Sequence, residues 1–139
     1  MNKRRKSLPA DESLSLCPCG SGQTLAACCA RYHAGADTPP DAATLMRSRY
    51  TAFVLEDAAY LAATWHDSTR PEDFALEPGE RTRWLGLEVR RHEETQDAAV
   101  VEFVARYKIG GRAHRMHEIS RFVREEGRWL YVDGDVQTS

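Results

Sequence analysis

Long apolar runs and a dominant charge of one sign are both missing from this sequence of 139 residues. No segment approaches the roughly 18 consecutive apolar residues that a membrane-spanning helix needs, so we expect no membrane partner. Nineteen basic residues stand against 21 acidic ones, and this net charge of −2 does not favour a large nucleic-acid-binding surface. No glycine-rich phosphate-binding pattern occurs either, which leaves nucleotide chemistry without support.

Cysteine is missing from most of the chain as well, because all four cysteines lie within residues 17–29. The preceding stretch, MNKRRKSLPADESLSL, begins with basic residues but lacks the apolar stretch of a secretory signal peptide. We therefore predict a disordered basic tail over residues 1–16 and a cytoplasmic location. Thiols stay reduced in the cytoplasm, so four clustered cysteines indicate a metal site before they indicate disulfides.

The stretch CPCGSGQTLAACC has the spacing C-x-C-x8-C-C. Zinc takes four soft ligands in a tetrahedron, and the GSG run at residues 20–22 supplies backbone conformations that suit a tight knuckle. We predict a structural zinc site whose ligands are Cys17, Cys19, Cys28 and Cys29.

Other uses of these side chains remain open. Redox chemistry at the adjacent pair Cys28 and Cys29 is disfavoured, because a disulfide between neighbouring residues is strained. A catalytic zinc is disfavoured because four thiolates leave no coordination position for water. His33 lies four residues beyond Cys29 and is a further candidate ligand, although four thiolates already suffice.

The residues after the cysteines predict helices and then strands. A linker with glycine and prolines covers residues 33–44. Apolar residues at helical spacing predict helices over residues 42–55 and 57–65. Their N-terminal caps are expected among Asp41, Thr44 and Asp57.

Alternating apolar residues after residue 83 predict four antiparallel strands. In WLGLEV, Leu85 alternates with Leu87 and Val89 on one face, opposite Trp84. Hairpin turns are predicted at residues 110–111 and 125–127, where glycine occurs. Helices followed by an antiparallel meander indicate an α+β fold in which a curved sheet folds over the helices.

Several of these segments carry a family resemblance. CPCGSG followed by CC resembles the SEC-C motif, a zinc-binding module known from the SecA translocation ATPase, with Cys29 where histidine is common. Together with RYHAG, LMRSRYTAFV, WLGLEV, VEFVARY, HEISRF and WLYVDG, it resembles the bacterial YchJ-like family over about residues 17–134. The resemblance implies a SEC-C motif at residues 17–32 and a nuclear transport factor 2-like domain at residues 42–136.

That domain is a cone of helices and curved antiparallel sheet, and the resemblance implies that it encloses a pocket. It also implies zinc as the cofactor and, by analogy with the SecA module, an export chaperone or the ribosome as a protein partner. A small molecule is the ligand expected in the pocket. The predicted pocket residues are Arg47, Tyr50, Trp65, His66, Trp84, Phe103, Tyr107, Glu118, Ser120, Phe122, Trp129, Tyr131 and Asp133.

Glu118 has two interpretations within this pocket. A buried carboxylate needs a partner such as Arg47 or Arg49, which predicts an Arg–Glu pair that stabilises the fold. Alternatively, Glu118 or His66 acts as the base of a small isomerase or hydrolase. The function that we predict is a zinc-binding protein that acts as a binding or adaptor module, with the small enzyme as the alternative.

Overall fold

The computed structural model describes residues 15–76 and 82–137. Within these ranges three helices precede a four-stranded sheet, so the predicted α+β fold with helices before an antiparallel sheet is confirmed. The predicted N-terminal tail lies outside the described residues, apart from residues 15 and 16. No helix in the described ranges is both long enough and apolar enough to cross a membrane.

The helices are α1 (Cys29–His33), α2 (Ala42–Leu55) and α3 (Ala58–Ala63). Helix α2 has the predicted bounds, and Asp41 is its cap because Asp41 Oδ1 accepts the backbone N–H of Thr44 at 2.8 Å. The side chain of Asp57 caps α3 in the same way. Helix α3 is shorter than predicted, because Trp65 leaves the helix and forms a parallel bridge with Tyr131.

The strands β1 (Thr82–Glu94), β2 (Ala98–Ile109), β3 (Arg112–Glu125) and β4 (Arg128–Gln137) form an antiparallel meander in the order β1-β2-β3-β4. Gly110 and Gly111 connect β2 to β3 with φ values of 58° and 80°. Residues with positive φ are mostly glycine, which explains the sequence signal at this turn. Both hairpin turns are therefore confirmed.

The inner face of β1 differs from the predicted alternation. The pairing of β1 with β2 shifts between Trp84 and Gly86, which leaves Leu85 as an extra residue in a β-bulge. Trp84 consequently packs against the core, whereas Leu85 is 50% exposed. Leu87 still packs against the core, as predicted, since it lies beyond the bulge.

Helix α2 lies at the centre of the molecule and is buried on opposite sides. Leu45, Met46 and Tyr50 belong to the main core with inward residues of the sheet. Elsewhere on the same helix, Thr51 is fully buried beside Cys17. The sheet and the cysteine segment, which we define as residues 15–33, therefore cover different sides of one helix.

Candidate functional site

The four cysteines form a compact and buried cluster of free thiols. Their Sγ atoms all lie within 4.8 Å of one another. Cys28 Sγ lies 3.7 Å from Cys19 Sγ and 4.0 Å from Cys29 Sγ. A tetrahedral ion with metal–sulfur bonds of about 2.3 Å holds its sulfur atoms about 3.8 Å apart. The cluster therefore fits a metal ion that is bound by four thiolates.

The backbone of the cysteine segment brings the two pairs of cysteines together. Cys17 N–H donates to the carbonyl of Gln23 at 2.8 Å, and Leu16 forms an antiparallel bridge with Thr24. Gly20 has a φ of 83° in the turn between them, which glycine adopts without strain. Helix α1 starts at Cys29 and so places the second pair of thiols opposite this turn.

Groups around the cluster orient the thiols. Ser21 Oγ donates to Cys28 Sγ at 3.2 Å and so orients this sulfur atom within the cluster. Arg47 Nη1 donates to the carbonyl of Cys19 at 2.7 Å. Cys29 Sγ in turn lies 3.6 Å from the carbonyl of Arg47. Arg47 was predicted for the pocket, but its side chain connects the cysteine segment to α2.

His33 is not a member of the cysteine cluster. Its Nε2 lies 2.8 Å from the carbonyl oxygen of Ser48, so this nitrogen carries the hydrogen and donates. The ring packs at 4.6 Å from the ring of Tyr60. His33 therefore anchors the end of α1 to α2 and does not belong to the group that could hold the metal.

The thiols influence the ionisation of one another. Hydrogen bonds from Cys19 and Cys29 lower the pKa of Cys17, because they stabilise its thiolate. The pKa of Cys29 is raised, first by its hydrogen bonds to Cys17 and Cys19 and then by burial. The thiolate of Cys17 is therefore favoured at the expense of those of Cys19 and Cys29, whose pKa values are raised. Ionisation of all four needs a cation among them.

A cavity of about 290 Å³ lies between α2 and the inner face of the sheet. We call it the Glu118 cavity, after the one carboxylate in its wall. Its walls are mostly apolar and aromatic, as is usual for small-molecule sites. It is lined by Met46, Arg49, Tyr50, Phe53, Trp65, Trp84, Phe103, Ala105, Met116, Glu118, Ser120 and Tyr131.

Many residues predicted for the pocket meet in this cavity. They come from α2, from the segment after α3 and from all four strands. The predicted residues that line it are Tyr50, Trp65, Trp84, Phe103, Glu118, Ser120 and Tyr131. The predicted set of pocket residues did not include Met46, Arg49, Phe53, Ala105 and Met116. Helical spacing from Tyr50 identifies Met46 and Phe53, and Met116 lies two residues before Glu118 on the same strand face.

The remaining predicted residues lie outside the Glu118 cavity. His66 Nε2 lies 2.8 Å from Oε2 of Glu125, which is the last residue of β3. Asp133 pairs with Arg121 at 2.6 Å in an exposed position. The other three pack within the core or beside it, and they are Tyr107, Phe122 and Trp129.

Glu118 is held by hydroxyl groups. Its Oε2 accepts a hydrogen bond from Ser120 Oγ at 2.6 Å and another from Tyr131 OH at 3.4 Å. Burial is the main cause that raises the pKa of Tyr131 to about 12, so its phenol stays protonated and donates. Oε1 accepts no hydrogen bond from a residue in the described ranges.

The predicted Arg–Glu pair is wrong, because no ion pair joins Glu118 to an arginine among the described residues. Arg49 Nη1 instead donates to the carbonyl of Leu61 at 2.8 Å and to Thr64 Oγ1 at 2.6 Å. Its guanidinium lies 4.6 Å from the ring centre of Tyr131. Burial lowers the pKa of Arg49 to about 10, which leaves the side chain charged at neutral pH.

Gly134 of β4 provides the space for the Glu118 carboxyl group. A Cβ atom at Gly134 would lie 2.8 Å from Glu118 Cδ and closer still to Oε2. Gly134 is paired with Ser120 in the sheet, so the residue that holds Glu118 and the residue that makes room for it lie side by side. Any larger side chain at this position has to displace the carboxylate.

Comparison with known proteins agrees with this description. The family model for the middle, nuclear transport factor 2-like domain of YchJ matches residues 41–134, and the SEC-C motif matches residues 15–31. A UPF0225 protein of Ralstonia nicotianae is 55% identical, covering 94% of this chain and 98% of its own. One from Bordetella pertussis is 50% identical, covering 97% and 99%.

Two solved structures share the fold. The solution structure of a SEC-C motif containing protein from Rhodopseudomonas palustris has a TM-score of 0.78 and 32% identity, covering 88% of this chain and 98% of that one. The crystal structure of a sec-c motif containing protein from Psychrobacter arcticus has a TM-score of 0.72 and 27% identity, covering 92% and 86%.

Fold and cysteine cluster together define a class of small proteins in which a SEC-C motif precedes a nuclear transport factor 2-like domain. Within that class, the chain belongs to the YchJ family, whose curated relatives are called UPF0225 proteins. The resemblance inferred from the sequence is therefore confirmed. The names of these relatives state no activity.

The space at Gly134 leads to a testable prediction. We expect Gly134→Ala to lower the free energy of unfolding by about 1–3 kcal/mol, because the added methyl group overpacks against the Glu118 carboxylate. Urea denaturation measures this loss. Gly86→Ala is the matched control, since a Cβ there meets no atom within 4 Å, and we expect a change within about 0.5 kcal/mol.

A double-mutant cycle isolates the cause. In a Glu118→Ala background the carboxylate is gone, so we expect Gly134→Ala to cost little. An equal cost in both backgrounds would show that Gly134 is needed for the backbone and not for Glu118.

Proposed function

We propose that this protein binds a small ligand in the Glu118 cavity and is stabilised by a structural zinc ion in the cysteine cluster. The observation that carries the ligand site is an aromatic-walled cavity of about 290 Å³ in which Glu118 Oε1 accepts no hydrogen bond from the described residues. The Glu118 side chain is only partly buried, and its Oε1 is left open, so a ligand in the cavity can reach it.

Zinc is the ion that the donor set favours. Four thiolates are soft ligands, and a tetrahedral four-sulfur site is typical of structural zinc. Four protein ligands also close the coordination shell, so the ion supplies stability to the cysteine segment and offers no position for a substrate. Free, buried thiols fit a reducing compartment such as the cytoplasm.

Metal analysis tests the zinc assignment. We expect freshly purified protein to contain about one zinc ion per chain, since one four-cysteine cluster holds one ion. Cys19→Ser should lose the ion, whereas Ser21→Ala should keep it with an affinity about tenfold lower, because only a hydrogen bond to Cys28 is removed. Inductively coupled plasma mass spectrometry and competition with a chromogenic chelator measure both effects. Protein without metal and with four freely titrating thiols would contradict the assignment.

The chemistry of the wall indicates the class of ligand. Rings of Trp65, Trp84 and Phe103 favour an apolar, planar body. Glu118 Oε1 offers a hydrogen-bond acceptor, so the ligand should carry a hydroxyl or N–H donor. The nearby charge of Arg49 disfavours a second cation in the same space. A neutral aromatic or alicyclic molecule with one donor group fits these features.

A matched pair of probes tests the cavity. We expect 2-naphthol to change the fluorescence of Trp65 and Trp84 saturably and to bind more tightly than naphthalene, which lacks the donor group. Glu118→Gln should lower the affinity for 2-naphthol by about tenfold, because hydrogen bonds to charged acceptors are stronger than those to neutral ones. The affinity for naphthalene should not change. His66→Ala is the control, since His66 lies outside the cavity. The proposed role of Glu118 would be excluded if the two probes bound to the wild type with equal affinity and if Glu118→Gln changed neither affinity.

Proton abstraction by Glu118 is a second candidate function. The same unpartnered Oε1 in an apolar cavity is suited to remove a proton from carbon beside a carbonyl group. The test is the incorporation of deuterium from D₂O at the carbon beside the carbonyl group of 1-indanone. If the wild type catalyses this exchange and Glu118→Gln does not, the enzymatic function is favoured over simple binding. His66 is not favoured as the base, because it pairs with Glu125 outside the cavity.

A docking role for the cysteine segment has less support than a stabilising role. An export chaperone or the ribosome remains a proposal that rests on the analogy with the SecA module. The thiols are buried, and Arg47 and Thr51 of α2 contact them or their backbone. The cluster therefore packs against helix α2 of its own chain.

A further inference from the structure

Arg49 is the one positively charged side chain in the wall of the Glu118 cavity. It belongs to α2, and only 3% of the residue is exposed. A buried guanidinium is normally paired with a carboxylate. Among the described residues, however, no carboxylate forms an ion pair or hydrogen bond with Arg49. The fold therefore leaves this charge without a counter-ion.

Only one of the three nitrogen atoms of the guanidinium is occupied. Nη1 uses both of its hydrogens, because it donates to the carbonyl of Leu61 and to Thr64 Oγ1. Nε and Nη2 carry the other three hydrogens. These atoms donate to no acceptor in the part of the chain that the structure describes. Donors of a charged group are thus available to a ligand.

The free donors of Arg49 are accessible from the cavity. Within the described ranges, Trp129 Nε1 is the one buried side-chain nitrogen or oxygen that is both closed to solvent and without a partner. Nε and Nη2 of Arg49 have no partner either, so each of them keeps some accessible surface. Because Arg49 lines the Glu118 cavity, this surface faces the space that a ligand would fill.

Tyr131 brings the free groups of Arg49 and Glu118 close to each other. The guanidinium lies 4.6 Å from the centre of the Tyr131 ring, while the hydroxyl of the same residue donates to Glu118 Oε2 at 3.4 Å. Burial lowers the pKa of Arg49, and the charge of Glu118 opposes this effect in part. The two charged groups therefore act on the same small space without pairing to each other.

The charges of the wall select a neutral ligand. A ligand anion would pair with Arg49 but would be repelled by Glu118, and a ligand cation would meet the reverse problem. A neutral molecule avoids both penalties, and it satisfies both groups when it carries an acceptor as well as a donor. A carbonyl oxygen is a neutral acceptor with two lone pairs, so it can take more than one hydrogen of the guanidinium.

We propose that Arg49 is a ligand-binding residue and that the Glu118 cavity selects a neutral, planar carbonyl compound with a separate donor group. The carbonyl oxygen accepts from the free N–H groups of Arg49, and the hydroxyl or N–H donor of the ligand binds Glu118 Oε1. This inference rests on the proposed function, since it specifies the ligand of the same cavity. The contacts of Nη1 with α3 hold the guanidinium in place before the ligand arrives.

Four probes with one two-ring body separate the two polar contacts. Indane has neither polar group, 5-indanol has the donor, 1-indanone has the carbonyl, and 5-hydroxy-1-indanone has both. Isothermal titration calorimetry measures the affinity of each probe for the wild type and for the variants. Each contact is measured as the change that one substitution causes in the affinity for one probe, so differences in the hydrophobicity of the probes cancel.

We expect Arg49→Met to lower the affinity for 1-indanone by about tenfold, because a charge-assisted hydrogen bond is lost, and to leave the affinity for indane unchanged. Glu118→Gln should lower the affinity for 5-indanol and leave that for 1-indanone unchanged. Both substitutions should weaken 5-hydroxy-1-indanone. Arg70→Met is the matched control, since Arg70 also donates to carbonyl groups at the end of α3 but does not line the cavity.

An equal loss of affinity for indane and 1-indanone in Arg49→Met would overturn the inference, because it would show that Arg49 only supports the shape of the cavity. An unchanged affinity for 1-indanone would overturn it as well. In either case, binding of 5-indanol that depends on Glu118 would leave the proposed function standing. Failure of all four probes to bind the wild type would contradict the proposed function itself.

A measurement on the wild type keeps the test decisive if Arg49→Met does not fold. In protein with ¹⁵N-labelled arginine, we expect 1-indanone to shift the Nε–H resonance of Arg49 saturably and to a larger extent than indane does. Indane is the control for the ring current of the shared body. Equal shifts from both probes at saturation would overturn the role of Arg49.

Discussion

Helix α2 requires cover on opposite sides, and the contact between its backbone and the cysteine segment supplies one of these covers. Arg47 donates to the carbonyl of Cys19, while the carbonyl of Arg47 lies beside Cys29 Sγ. Thr51 meets Cys17 one turn later. These contacts depend on the cysteines being held together, and a buried group of four thiolates is held together by a cation. The cysteine cluster is thus part of the packing of the larger domain.

The same helix also borders two cavities. Leu45 lines a cavity of about 420 Å³ beside the cysteine segment, whereas Met46, Arg49 and Phe53 line the Glu118 cavity. Arg49 contributes to the Glu118 cavity in a further way, since it fixes the end of α3 through Leu61 and contacts the ring of Tyr131. The shape of both cavities therefore follows from how firmly α2 is held between the sheet and the cysteine segment.

The sequence predicted the features that local chemistry determines. The bounds of α2, the cap at Asp41 and the turn at Gly110 follow from short-range hydrogen bonding and backbone preference. The spacing of the cysteines predicted that they form a cluster. The bulge at Leu85 could not be predicted, because an alternating pattern does not reveal where a strand gains an extra residue.

The partner of Glu118 depends on tertiary structure. The sequence analysis predicted an arginine as the partner of this carboxylate. Arg49 instead donates to the carbonyl of Leu61 near the end of α3, because the last carbonyls of a helix lack partners within the helix. The role of Gly134 follows from strand register, which places it opposite Ser120 and beneath the carboxylate. Pairing across β3 and β4 is not visible in either strand alone.

Native-state hydrogen exchange before and after removal of the zinc ion that we propose tests most directly whether the cluster supports the domain. Our account predicts that chelation lowers the protection of amides throughout α2 (Ala42–Leu55) as well as in the cysteine segment, because the helix loses the cover on one side. Loss of protection confined to residues 15–33, with the amides of α2 unchanged, would contradict it.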